Sequence, residues 1–309
     1  MAWDRLASSN HVSGRAVSPA LPAAAIVGRL GGRRVREAGM RGEGDEAAAR
    51  KDGRTRLYIA AALSAGGGVE LDSDQGHYLR HVLRLEKGAP VALFNARDGE
   101  WRAVIEGFTK DRCRLRVESL RRQSEPPGPE ISLLFAPLKR ARLELMIEKA
   151  TELGVTRLVP VTTRHTDIGR VNLDRLAAIA REAAEQCERL SVPEISPPVS
   201  FFQLLSDWPG TPLLVCAESG AARPLAEVAA ALPPGPVAIL IGPEGGFAVS
   251  ELDELARWPF AVRVGLGPRV LRAETAALAV LACWQAVRGD WSDGGGADVR
   301  PPFRCSPAL

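Results

Sequence analysis

Apolar positions recur along this chain with two alternating periods, and the alternation divides it into strands and helices. Val237-Ala-Ile-Leu-Ile241 is an unbroken apolar run with the length of a strand buried on both faces, and Ile131 to Phe135 and Leu213 to Ala217 read the same way. Between such runs the period lengthens. Leu143, Met146, Ile147, Ala150 and Leu153 share one helical face, ended by Gly154; Leu176, Ile179, Ala180, Ala183, Cys187 and Leu190 share another, capped by Asn172. Arg157 to Val161 and Val262 to Val264 add strands, and the helix from Glu274 to Arg288 is apolar nearly all round. Strands alternating with helices predict an α/β domain with a parallel sheet from about residue 125.

Upstream the strands are shorter: Leu57 to Ile59, Val69 to Leu71, Pro90 to Asn95, Glu100 to Glu106 and Arg112 to Glu118, with Arg97-Asp98-Gly99 as a hairpin turn. Ser73 is expected to cap a helix through Leu85 that turns Leu79, Val82 and Leu83 inward. Five strands and one helix predict a small barrel over 54–124. Arg121 to Pro129, with three prolines and a glycine, separates it from the sheet domain at 125–290. Residues 1–53 are rich in Ala, Gly and Arg without a periodic apolar pattern and are expected to be a disordered extension, or the product of a start upstream of Met40; 291–309 read as a flexible tail.

Composition changes this picture little. The 309 residues are 46% hydrophobic and 25% charged, and a net charge of +3 permits a nucleic-acid partner without arguing for one. The five cysteines are scattered without C-x-x-C spacing, which suggests neither a disulfide framework nor zinc and fits a reducing cytoplasm. His77 and His81 lie four apart with no third ligand candidate nearby, so no metal site is expected. The apolar run Ala276 to Trp284 is too short to span a membrane.

Candidate chemistry concentrates at two Gly/Pro turns that each follow a strand and open a helix. One is Ile241-Gly242-Pro243-Glu244-Gly245-Gly246-Phe247, with Ser250 expected as the next N-cap; the other runs from Leu266 and Gly267 through Pro268, Arg269, Val270, Leu271 and Arg272 to Glu274. Neither fits G-x-G-x-x-G or the phosphate-binding G-x-x-x-x-G-K-[ST] pattern. Arg269, Arg272 and Glu274 nevertheless crowd a short loop before an apolar helix, an expensive place for charge unless it is paired or used. Glu218-Ser219-Gly220 and Arg164 to Asp167 are further loops at the same predicted sheet edge. In the barrel, Arg112, Arg114 and Arg116 alternate with Cys113, Leu115 and Val117, which gives the arginines one shared face; a solvated outer face explains that as readily as a docking surface.

IGPEGGF, LGPRVLRAETA, EKATELGVTRLVPVTTRH and EAAEQCERLSVPEI, in that relation along the chain, resemble the RsmE family of the SPOUT methyltransferases over roughly Arg56 to Arg288. The resemblance implies a trefoil-knotted, dimeric C-terminal domain behind a PUA-like barrel, and S-adenosylmethionine-dependent methylation of N3 of a uridine in 16S rRNA of the small ribosomal subunit. Carried onto this sequence, it makes Glu218, Ile241, Gly242, Pro243, Glu244, Gly245, Gly246, Leu266, Gly267, Val270, Leu271 and Arg272 the expected cofactor cradle. Arg272, assisted by Arg189 or Arg164, is expected to stabilise charge on the uracil, with Glu274 or Glu244 as base or as structural partner. Arg80, Arg84, Arg112, Arg114 and Arg116 are the expected RNA contacts. Family members commonly have Arg-Ser where this chain has Arg164-His165. A related enzyme acting on another RNA position, or a non-catalytic RNA-binding dimer, are the alternatives.

Overall fold

The computed structural model describes residues 55–291 apart from 110–111, 125, 127, 168–169 and 218–221. The expected N-terminal extension, the tail beyond 291 and Glu218 therefore lie outside the described residues.

The first five strands, β1 (Arg56–Tyr58), β2 (Gly68–Leu71), β3 (Pro90–Asn95), β4 (Gly99–Phe108) and β5 (Cys113–Arg122), form one sheet in the order β1-β3-β4-β5-β2. The pairing of β4 with β5 slips register in three places, and such bulges increase the local twist that curls a sheet around its own core. Leu57, Leu79, Val91, Leu93, Ala103, Ile105, Cys113, Leu115 and Val117 fill that core. Helix α1 (Ser73–His77) is capped by Asp72, whose Oδ1 accepts from the Gln75 amide at 2.8 Å, so the cap is one residue earlier than expected. It continues as a π-helical turn over Tyr78–Val82. The wider turn rotates Val82 out of the inward face that a 3.6-residue period assigned to it, and Val82 is 59% exposed while Leu79 is fully buried.

An eight-stranded parallel sheet follows. Its main path runs β11 (Arg223–Pro224), β13 (Ala261–Gly265), β10 (Leu213–Cys216), β12 (Val237–Ile241), β6 (Ile131–Phe135), β7 (Arg157–Thr162), β8 (Glu194–Ile195), and β9 (Val199–Ser200) also pairs with β7. On one face pack α2 (Arg140–Glu152), α3 (Leu173–Gln186), α5 (Leu225–Ala231) and α7 (Ala273–Val287). On the other lie α4 (Phe201–Ser206) and α6 (Val249–Ala256). The unbroken apolar run of β12 is explained by this double cover: Val237, Ile239 and Ile241 enter the first layer, Ala238 and Leu240 the second. Asn172 caps α3 by accepting from the Arg175 amide, and Gly154, at φ +85°, turns the chain after α2. Cys187, expected inward, is exposed at the end of α3. The two-residue strands β8, β9 and β11 and the six-residue helix α4 are too short to leave a periodic signal.

Arg56 joins the two domains. Its buried guanidinium stacks on the Phe94 ring at 4.1 Å, pairs with Glu100 at 2.8 Å, and donates to the carbonyls of Ala184, Glu185, Glu188 and Arg189 at the end of α3. A cation at a helix C-terminus meets its unsatisfied carbonyls and the negative end of its dipole. Among the described residues no helix is long and apolar enough to cross a membrane.

Candidate active site

Both Gly/Pro turns leave the C-terminal edge of the parallel sheet. Cys216 of β10 sits in register with Ile241 of β12 and Val264 of β13, so one strand separates the two turns and places them side by side. Ligands favour this edge in open α/β sheets. Burial pushes the Cys216 thiol up to about 12, which keeps it protonated and leaves it as apolar filling rather than a nucleophile.

In the first turn Ile241, Gly242 and Pro243 are buried, and Glu244 and Gly245 face outward. A Cβ on Gly242 would come within 2.8 Å of the Phe247 ring, so only glycine lets that ring fold over the turn. Gly246, at φ +70°, supplies the left-handed residue that closes it. The loop after β7 packs against the same turn: His165 Nδ1 donates to the Gly246 carbonyl at 3.0 Å, and the Arg164 amide donates to Glu251 Oε1 at 2.8 Å. The other oxygen of Glu251 accepts from the Ala248 amide at 2.8 Å. Ala248, not Ser250, is thus the N-cap of α6, and the Glu251 carboxylate does the capping while it ties down the Arg164 loop. In the second turn Gly267 has φ +97°, Leu266 and Leu271 are half-buried, and Val270 is 78% exposed, a large apolar side chain held open to solvent. Arg269 and Arg272 are exposed, and Arg272 is the N-cap of α7.

Glu274 follows in the first turn of α7 and is only 8% exposed. Its Oε1 lies 3.7 Å from Arg142 Nε, and its Oε2 is buried with no hydrogen-bond partner. Arg142 Nη1 donates to Glu244 Oε1 of the first turn. Both candidate bases therefore share one cation. Arg142 was not singled out in the sequence; a basic residue in the first turn of a helix reads as solvated, and nothing local points to carboxylates so far along the chain.

Arg189 is not brought to this edge. Its guanidinium donates to the carbonyls of Thr151 at 2.6 Å and Val155 at 3.0 Å and to Ser191 Oγ, all beside the start of β7 at the opposite edge of the sheet. In these contacts it ties the segment after α3 to the end of α2. On the barrel, Arg112 pairs with Glu70, Arg114 with Glu106, and Arg116 with Glu106 and Glu118, so the arginine face is interleaved with carboxylates. Arg80 lies over the Phe108 ring at 5.7 Å, and Arg84 has φ +54° just after the π turn. A cleft lined by Glu130, Arg157, Gln203 and Trp208 opens at the N-terminal ends of the strands, away from the turns.

The cradle offers bare glycine backbone, apolar walls at Leu266, Val270 and Leu271, and one buried acceptor in want of a donor, a set suited to a ligand with an adenine and cationic groups.

A family model described as an RNA methyltransferase domain matches residues 124–285, and one described as an RNA methyltransferase PUA domain matches 71–118. The ribosomal RNA small subunit methyltransferase E of Rickettsia conorii is 34% identical over 74% of this chain and 93% of its own length; that of Synechocystis is 33% identical over 74% and 76%. Among solved structures, a methyltransferase from Legionella pneumophila in complex with S-adenosylmethionine aligns at TM-score 0.67 and 31% identity, covering 76% of this chain and 98% of that one. The ribosomal RNA small subunit methyltransferase E of Neisseria gonorrhoeae, bound to the same cofactor, aligns at 0.68 and 27%, covering 77% and 99%. With both domains matched and the glycine turns set together on one sheet edge, the chain belongs to the ribosomal RNA small subunit methyltransferase E family.

Proposed function

We propose that this protein methylates N3 of a uridine in the 16S rRNA of the small ribosomal subunit, using S-adenosylmethionine held by the two turns. The carrying observation is the buried Glu274 carboxylate, with an unpartnered Oε2, in the first turn of the helix that the second glycine turn opens. The cofactor supplies an electrophilic methyl group. Gly242, Gly245, Gly246 and Gly267 offer backbone to it, Leu266, Val270 and Leu271 its apolar walls. Uracil N3 carries a weakly acidic hydrogen and becomes a nucleophile on losing it. Glu274 Oε2 is the acceptor we assign to that proton, and Arg272, with Arg164 across the cradle, faces the negative charge that spreads to the uracil oxygens. The remaining contribution is alignment of nucleophile and methyl carbon.

The half-buried apolar residues Leu278, Ala279 and Ala282 on α7 support a homodimer packed along that helix, and the knotted path common to the family is proposed with it. The barrel arginines are the proposed RNA contacts, with exchange of carboxylate for phosphate partners on binding. Such a substrate puts the enzyme in the cytoplasm. Labelled S-adenosylmethionine incubated with small subunits lacking their native methylations tests the reading: nucleoside mass spectrometry should find 3-methyluridine, and Arg272→Ala should lower its formation about 10²–10³-fold while cofactor binding persists. Label on another nucleoside overturns the assigned position.

A further inference from the structure

Arg142 stands where three elements meet. It lies in the first turn of α2, which leaves β6 at the same edge as the cradle, and its guanidinium reaches Glu244 in one turn and Glu274 in the other. Resting on the assignment of the cradle to the cofactor, we propose that Arg142 is a positioning residue: it clasps the two turns at a fixed separation, hydrogen-bonded to Glu244 and facing Oε1 of Glu274 at 3.7 Å, which leaves Oε2 for a donor.

The chemistry of the side chain supports this. A guanidinium is planar and presents Nε and Nη donors at fixed angles, so it can hold two carboxylates on different edges, whereas an ammonium is a point charge on a flexible stem. The Glu244 arm is exposed at both ends, with 35% and 36% of the side chains accessible, and is screened. The Glu274 side chain is only 11% accessible, so its charge is felt most strongly and tolerates loss of its cation least. A half-exposed arginine whose two partners belong to the two halves of one ligand surface links those halves; a solvated arginine links nothing.

The test uses the full chain. Cofactor binding is measured by calorimetry for wild type, Arg142→Met, Arg142→Lys, Glu244→Gln and the Arg142→Met/Glu244→Gln pair, and amide hydrogen exchange is followed over 242–247 and 266–274 without cofactor. Arg142→Met keeps the apolar stem and should weaken binding roughly tenfold and speed exchange in both turns, with Arg142→Lys recovering only part of the affinity. In the Glu244→Gln background the same change should cost less, since one arm is already lost. The proposal is overturned if Arg142→Met binds within twofold of wild type, or if exchange quickens in neither turn or in one alone. Failure of the wild type to bind S-adenosylmethionine would sink the cofactor reading instead, and the exchange measurement would still decide the clasp.

Discussion

On the barrel face, Arg112, Arg114 and Arg116 meet Glu70, Glu106 and Glu118 in an exposed lattice of opposite charges, whereas in the cradle a single guanidinium serves two carboxylates. The first arrangement satisfies every member with exposed partners that water or a phosphate can replace. The second leaves a buried oxygen wanting. Surface pairs of the first kind contribute about 0–1 kcal/mol each, and their value lies in being exchangeable; a buried, half-satisfied carboxylate is costly to keep and points to a ligand. Counting arginines in the sequence favours the barrel as the charged site. Following the buried carboxylate oxygen that lacks a donor leads to the cradle.

The contrast breaks most visibly at Glu274. Glu274→Gln keeps the shape but removes both the proton acceptor and the charge facing Arg142, and single-turnover methyl transfer at saturating cofactor should fall about 10²–10⁴-fold. A normal turnover rate would reduce Glu274 to a structural partner of Arg142. A smaller effect is expected at Glu185, the other carboxylate set into a joint, which accepts from the Tyr58 amide at 3.0 Å. Desolvation holds its pKa above the ordinary 4.5, so the folded protein retains a proton that the unfolded chain releases. Stability should therefore fall as pH rises from about 4.5 through the folded value, and thermal melts of Glu185→Gln should be flatter over that window. The smallest change belongs to the barrel face. Arg114→Ala should shift folding stability by less than about 1 kcal/mol in denaturant titrations. Loss of one phosphate contact should also lower the slope of log affinity for RNA against log salt by about 0.7–0.9. An unchanged slope would remove Arg114 from the RNA contacts.

What the sequence made legible was local. β12 announces itself by five apolar residues, α3 by Asn172 and α2 by Gly154, because each signal and its physical cause lie within one turn or one strand. The two glycine turns were legible for the same reason. Arg142 was not: its role depends on Glu244, 102 residues away, and on a sheet order that no periodicity encodes. Ser250 misled because it looks like a cap by type, while the capping group is the Glu251 carboxylate reaching back to Ala248 and across to Arg164. Val82 misled because an α-helical period was assumed through a π turn. Arg189 was expected beside Arg272, but the carbonyls of Thr151 and Val155 hold its donors at the other edge of the sheet.

Arg56 gives the molecule the mechanics of a caliper. One guanidinium grips Glu100 and Phe94 on the barrel and four carbonyls at the end of α3, so bending the joint would strip a buried cation of its partners. A fixed jaw transmits distance. If the barrel arginines take RNA as proposed, the joint sets the span between that grip and the glycine turns, and a substrate with another span would have to pull Arg56 from its partners to fit.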